Sequence, residues 1–98
     1  LNGSLTVNTS NTFDANGLNL TIRGNMTVDG SYIPNGNTTF FTNTAAAVIS
    51  GATPLFNFFN FSKSGAGTLT VSKNITINKD LTVTAGTVAH TGFDITLI

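Results

Sequence analysis

Cysteine is absent from this 98-residue chain, which excludes disulfide staples, thiolate metal sites and a cysteine nucleophile. Stability must come from packing and hydrogen bonds. Glutamate is absent too, and only 8% of the residues are charged. A cytoplasmic domain commonly keeps about a quarter of its residues charged, so this surface relies on the neutral hydroxyls and amides of Thr, Ser and Asn, a composition expected outside the cell. Arg23, Lys63, Lys73 and Lys79 balance Asp14, Asp29, Asp80 and Asp94 to a net charge of zero. No basic footprint exists for nucleic acid or anionic lipid, and neither is an expected partner. No segment approaches the roughly twenty apolar residues of a membrane-spanning helix, so no membrane insertion is expected. The chain opens on Leu1 without Met or a basic leader, as expected of a processed or excerpted piece.

Chemistry-bearing residues are equally sparse. The one histidine, His90, stands in the turn phrase AHTG, where a solvated turn residue is expected rather than a metal ligand. The serines lie in turns with no nucleophile-elbow sequence around them, so a Ser/His/Asp triad is not supported. Glycoside cleavage needs two carboxylates facing one bond, about 5 to 9 Å apart. Asp14 and Asp94 fall at opposite ends of the repeat pattern, and Asp29 and Asp80 in different units. No enzyme, cofactor or metal is expected.

What the chain does contain is internal similarity. Residues 19 to 28 read NLTIRGNMTV and residues 74 to 83 read NITINKDLTV. A longer unit, LTVNTSNTFDANGLNLTI from Leu5 to Ile22, aligns with LTVTAGTVAHTGFDITL from Leu81 to Leu97 after one single-residue gap. Met26 to Phe41 is a looser third copy. The shared template is an aliphatic-Thr-aliphatic triplet, a turn, a Thr/Ser-aromatic or Thr-Val pair, another turn, then a second triplet. Alternation with period two sends the aliphatics to one face and the Thr to the other, the pattern of a half-buried strand. Leu5/Val7, Leu20/Ile22, Met26/Val28, Leu69/Val71, Ile75/Ile77, Leu81/Val83 and Ile95/Leu97 are expected to point inward. Thr6, Thr21, Thr27, Thr70, Thr76, Thr82 and Thr96 are expected to point out.

Connectors such as DANG, DGS, IPNGN and SKSGAG supply the Gly, Asn, Asp, Ser and Pro of tight turns. No apolar stripe of helical period is sustained, and the short run Ala45 to Ala47 reads as entry to a strand. An all-β single domain spanning 1–98 is expected. A β-sandwich accepts short strands but gives no reason for successive units to resemble one another. A right-handed parallel β-helix does, because equivalent strands stack directly over one another. Triplets at Leu5 and Met26, continued by Val48-Ile49 and Leu69, set a step of about 21 residues, hence four to five coils.

The stretch from Gly24 to Thr87, with its phrases GNMTVDGSY, AVISGATPLFNFFNFSKSGAGTLTVS and NITINKDLTVTAGT, resembles the β-helical repeats of large secreted or surface-anchored prokaryotic proteins of the adhesin and autotransporter-passenger kind. The resemblance implies a β-solenoid with a stalk or adhesive role, and no family active site.

Several surface features follow as candidates. Seven N-x-S/T sequons, at Asn2, Asn8, Asn19, Asn25, Asn37, Asn60 and Asn74, are candidate glycosylation sites. Phe40, Phe41, Phe56, Phe58, Phe59 and Phe61 are expected in the core, except that consecutive Phe58 and Phe59 cannot both face inward, so one is a candidate interface residue. Both ends run straight into strand without a cap. Leu1, Leu5, Ile95, Leu97 and Ile98 are therefore candidate interface residues for self-association into a fibre or for continuation in a larger surface protein. Two alternatives stand beside this structural role. A glycan-binding adhesin would show a groove with exposed aromatics, and an ice binder would extend the pairs Thr68/Thr70 and Thr82/Thr84 into a flat Thr array.

Overall fold

The computed structural model describes residues 3–98, so Leu1 and Asn2 lie outside the described residues. Fourteen short strands follow one another in a cycle of three. The first coil holds β1 (Leu5–Val7), β2 (Thr12–Asp14) and β3 (Leu20–Ile22). The second holds β4 (Met26–Val28), β5 (Ser31–Ile33) and β6 (Thr38–Phe41), and the third β7 (Ala47–Ser50), β8 (Asn57–Phe58) and β9 (Asn60–Lys63). The fourth holds β10 (Thr68–Val71), β11 (Ile75–Ile77) and β12 (Leu81–Val83), and the fifth begins with β13 (Thr87–Ala89) and β14 (Ile95–Leu97). Every printed pairing between them is parallel.

The pairings define three walls. The first wall runs β1-β4-β7-β10-β13 and the third β3-β6-β9-β12. The second is split into β2-β5 and β8-β11-β14, with the Tyr32 and Phe58 rings 5.7 Å apart across the break. Strand β8 is short because Pro54, just before it, has no N–H to donate to a ladder. The chain is thus a three-sided parallel β-solenoid of nearly five coils, and the β-sandwich alternative is set aside.

Leu5 lies beneath Met26, Met26 beneath Ile49 and Ile49 beneath Val71, so the column expected from the triplet spacing is present. Leu69 pairs instead with Ala47, one strand position away. The long repeat has a different meaning from the one its spacing suggests. Residues 5–22 supply β1, β2 and β3 on walls one, two and three, whereas residues 81–97 supply β12, β13 and β14 on walls three, one and two. The same offset relates 19–28 to 74–83. These units are displaced by one wall because each wall and its corner impose the same demand, an inward aliphatic pair followed by a turn. The looser copy, 26–41, is the one stacked directly on its counterpart.

The core runs along the axis. Ile22, Met26, Val28, Phe41, Ile49, Phe58, Leu69, Val71 and Ile77 are almost wholly buried, and the inward-outward alternation of the triplets holds. Phe41, Phe56, Phe58 and Phe61 meet around Phe58, with centroids 4.8 to 5.9 Å apart. Four aromatic rings in the middle coils fill the cross-section that aliphatics fill elsewhere. Phe59 is the outward member of its pair, half-buried with the Lys79 Nζ 5.9 Å from its ring centre.

Candidate functional site: the two ends of the coil stack

At the first coil, Leu5, Phe13 and Leu20 face inward but are only partly covered, and Leu18 is 71% exposed. Phe13, Ala15, Leu18 and Leu20 line an open apolar cavity of about 290 Å³. At the other end, Leu81, Val88 and Ile95 are partly covered, while Val83 is 47% and Leu97 55% exposed. Val83 and Leu97 were expected to be inward, and their strand positions are. They remain exposed because no coil lies beyond them. Each end therefore presents one unpaired strand edge per wall around a half-exposed apolar centre.

Between stacked coils, polar side chains at the corners make the vertical connections. Ser4 Oγ accepts the Asn25 N–H at 2.9 Å and Asn25 Oδ1 accepts the Val48 N–H at 2.9 Å. Asn19 Oδ1 accepts from Thr38 N at 2.9 Å, Asn60 Oδ1 from Asp80 N at 3.3 Å and Asn74 Oδ1 from Asp94 N at 2.8 Å. Asp29 Oδ1 accepts from Ala52 N at 2.9 Å. Most of these residues stand immediately before a strand, where a short acceptor can reach the coil above. Asp80 and Asp94 occupy that position in the last coil, exposed.

Five of the sequon asparagines thus have structural duties. Asn19, Asn25 and Asn74 are exposed and use Oδ1 in the bonds just described, which leaves Nδ2, the atom a glycan would take, on the solvent side. Asn8 is exposed in the turn after β1. Asn60 is half-buried and uses both amide atoms. Asn37 is 1% exposed and donates Nδ2 to Leu18 O and to Tyr32 Oη, both at 3.0 Å, so the folded chain has no room for a glycan there. Asn2 lies outside the described residues.

The titratable groups are dispersed. His90 is exposed, with Nδ1 3.0 Å from Phe93 O. Asp14 accepts from Asn16 N and Asn35 Nδ2. No group of three metal-ligating side chains occurs among the described residues. The pairs Thr68/Thr70 and Thr82/Thr84 fall on walls one and three and do not join into one array.

Lys63 is the residue that composition alone does not flag. It is fully buried, its Nζ donating to Ser64 O and Gly65 O, both at 2.8 Å. Burial lowers its pKa from the ordinary lysine value because the low-dielectric interior disfavours the charged form. The signal was available: in Asn60-Phe61-Ser62-Lys63, Lys63 shares the parity of inward Phe61. Comparison of the chain with protein-family models, curated proteins and solved structures finds no match.

Proposed function

We propose that this chain is a non-catalytic structural module of an extracellular fibre, stalk or surface filament, comparable in role to the rods of large prokaryotic adhesin-like proteins. It extends such a rod through its ends, by β-stacking on another copy or on further coils. The observation that carries this reading is the pair of open ends, each with an unpaired strand edge per wall around exposed apolar side chains. Hydrogen-bonded ladders run along the axis, a dry core fills it, and a neutral Thr, Ser and Asn skin covers it. The same neutral skin supports a location outside the cell.

Electron microscopy and fibre diffraction of the protein isolated from its source test the proposal. The expected result is elongated particles with a repeat of about 4.8 Å along the axis running unbroken through the junctions between units. Discrete particles with solvated ends would overturn it and favour a binding module. If the source glycosylates the chain, peptide mapping is expected to place glycans among Asn8, Asn19, Asn25 and Asn74, and to find Asn37 unmodified.

A further inference from the structure

The two ends are complementary in a specific register. Fourteen strands distributed over three walls leave the stack one strand short of five full coils, and the vacant position is on wall three, above β12. A second copy placed with β1 above β13 would leave that position empty and strand the edges of β12 and of its own β3. A copy turned by one wall, in the sense of the coil's own winding, leaves no gap. Its β1 then lies on β12, its β2 on β13 and its β3 on β14.

That turned register is also the one in which like sequence meets like. Leu81-Thr82-Val83 would stack on Leu5-Thr6-Val7, Thr87-Val88 on Thr12-Phe13, and Ile95-Thr96-Leu97 on Leu20-Thr21-Ile22. Every inward position pairs apolar with apolar. The chain already builds its interior this way, Leu5-Thr6-Val7 on Met26-Thr27-Val28 and Ile75-Thr76-Ile77 on Ile95-Thr96-Leu97.

The turns agree independently. Leu18 N donates to Ala15 O at 3.0 Å and Phe93 N to His90 O at 3.1 Å. Each turn carries a left-handed glycine, Gly17 at φ 76° and Gly92 at φ 82°, followed by an exposed apolar residue, Leu18 or Phe93. The first and last coils are one structural unit at two heights.

We infer that a second copy of this chain docks on the C-terminal coil turned by one third of a turn, so that β12, β13 and β14 pair in parallel with β1, β2 and β3 of the next copy. Val83 and Leu97 lose their exposure beneath Val7 and Ile22 of that copy. Asp80 and Asp94 stand where corner acceptors stand lower in the stack, and accept the backbone N–H of Ser4 and Asn19 of the next copy. The interface is head-to-tail and does not close, so it propagates. Each copy adds four and two-thirds coils, a rise of about 22 Å at the spacing of stacked parallel strands, with a rotation near one third of a turn. This inference rests on the end-stacking reading proposed above.

The full chain contains no cysteine, so engineered pairs report the register cleanly. Thr6→Cys with Thr82→Cys places the two thiols on adjacent strands of neighbouring copies, and oxidation is expected to give a ladder of covalent multimers. Thr6→Cys with Thr87→Cys, on the strand that an unturned stack would use, is expected to remain monomeric. Val83→Asp, at a position exposed in the single chain, is expected to reduce the sedimenting fraction at least tenfold while the circular dichroism spectrum stays that of the parent. Filaments that cross-link through Thr87→Cys, or whose rise is about 24 Å without rotation, would overturn the turned register and keep the end-stacking reading. Monomers at millimolar concentration that yield no cross-link with either pair would overturn self-docking itself, and the rod reading would then stand or fall on continuation by other coils in the material from source.

Discussion

Lys63 is held inside the solenoid by two carbonyl oxygens and no carboxylate among the described residues. Its pKa is lowered in the folded chain, so the unfolded chain binds more protons between that lowered value and the ordinary lysine value. Stability therefore rises as pH climbs through that interval. Urea midpoints measured across the alkaline range are expected to increase for the parent relative to Lys63→Met, which carries no proton there. At neutral pH the methionine variant is expected to be at least as stable, because a buried cation is replaced by an apolar chain of similar length. Phe58, at the centre of the aromatic group, is the opposite case. Phe58→Ala opens a void facing Tyr32, Phe41, Phe56 and Phe61 and is expected to cost about 3–5 kcal/mol, measured by chemical denaturation. Gly51, at φ 131°, passes so close to β4 that an added Cβ would meet Val28 O at 2.0 Å. Gly51→Ala is expected to lose about 1–3 kcal/mol from the backbone conformation alone, with a further loss from that contact.

At the scale of the element, each strand is too short to be stable alone, and the corner acceptors help fix which coil it joins. Asn25 links three coils, through Ser4 below and Val48 above. Asn25→Ala is expected to cost about 0.5–1.5 kcal/mol and Asn25→Asp much less, since the carboxylate retains an acceptor; thermal unfolding checks both. The strands themselves were legible in the sequence, because Thr between two aliphatics records the inward-outward alternation directly. So was the column Leu5-Met26-Ile49. The wall on which a triplet sits was not legible, since NLTI and NITI satisfy identical demands at β3 and β11. Asn37, Thr39 and Asn43 were also hidden: all three are buried, but their residue types match those of the turns and outer faces. Among them, Tyr32 Oη meets Thr39 Oγ1 at 2.8 Å and Asn37 Nδ2 at 3.0 Å, a polar chain that periodicity cannot reveal. The open ends were legible as a pattern, whereas their matching phase needed the wall assignment.

For the whole molecule, each coil touches only its neighbours, so stability is a sum of coil terms and junction terms. The end coils lack one neighbour. Hydrogen exchange is expected to show strongest protection across β6 to β9 and weakest in β1, β2 and β12 to β14, with the end protection rising on assembly. Uniform protection in the unassembled chain would contradict this. The chain contains no tryptophan and a single tyrosine, Tyr32, which is buried against Phe58 at the break in the second wall. The molecule therefore carries one native fluorophore, set at its middle and insensitive to its tips. Its emission should hold steady while the ends fray and change only when the central coils part, so comparing it with backbone circular dichroism separates peeling from global collapse without any added label.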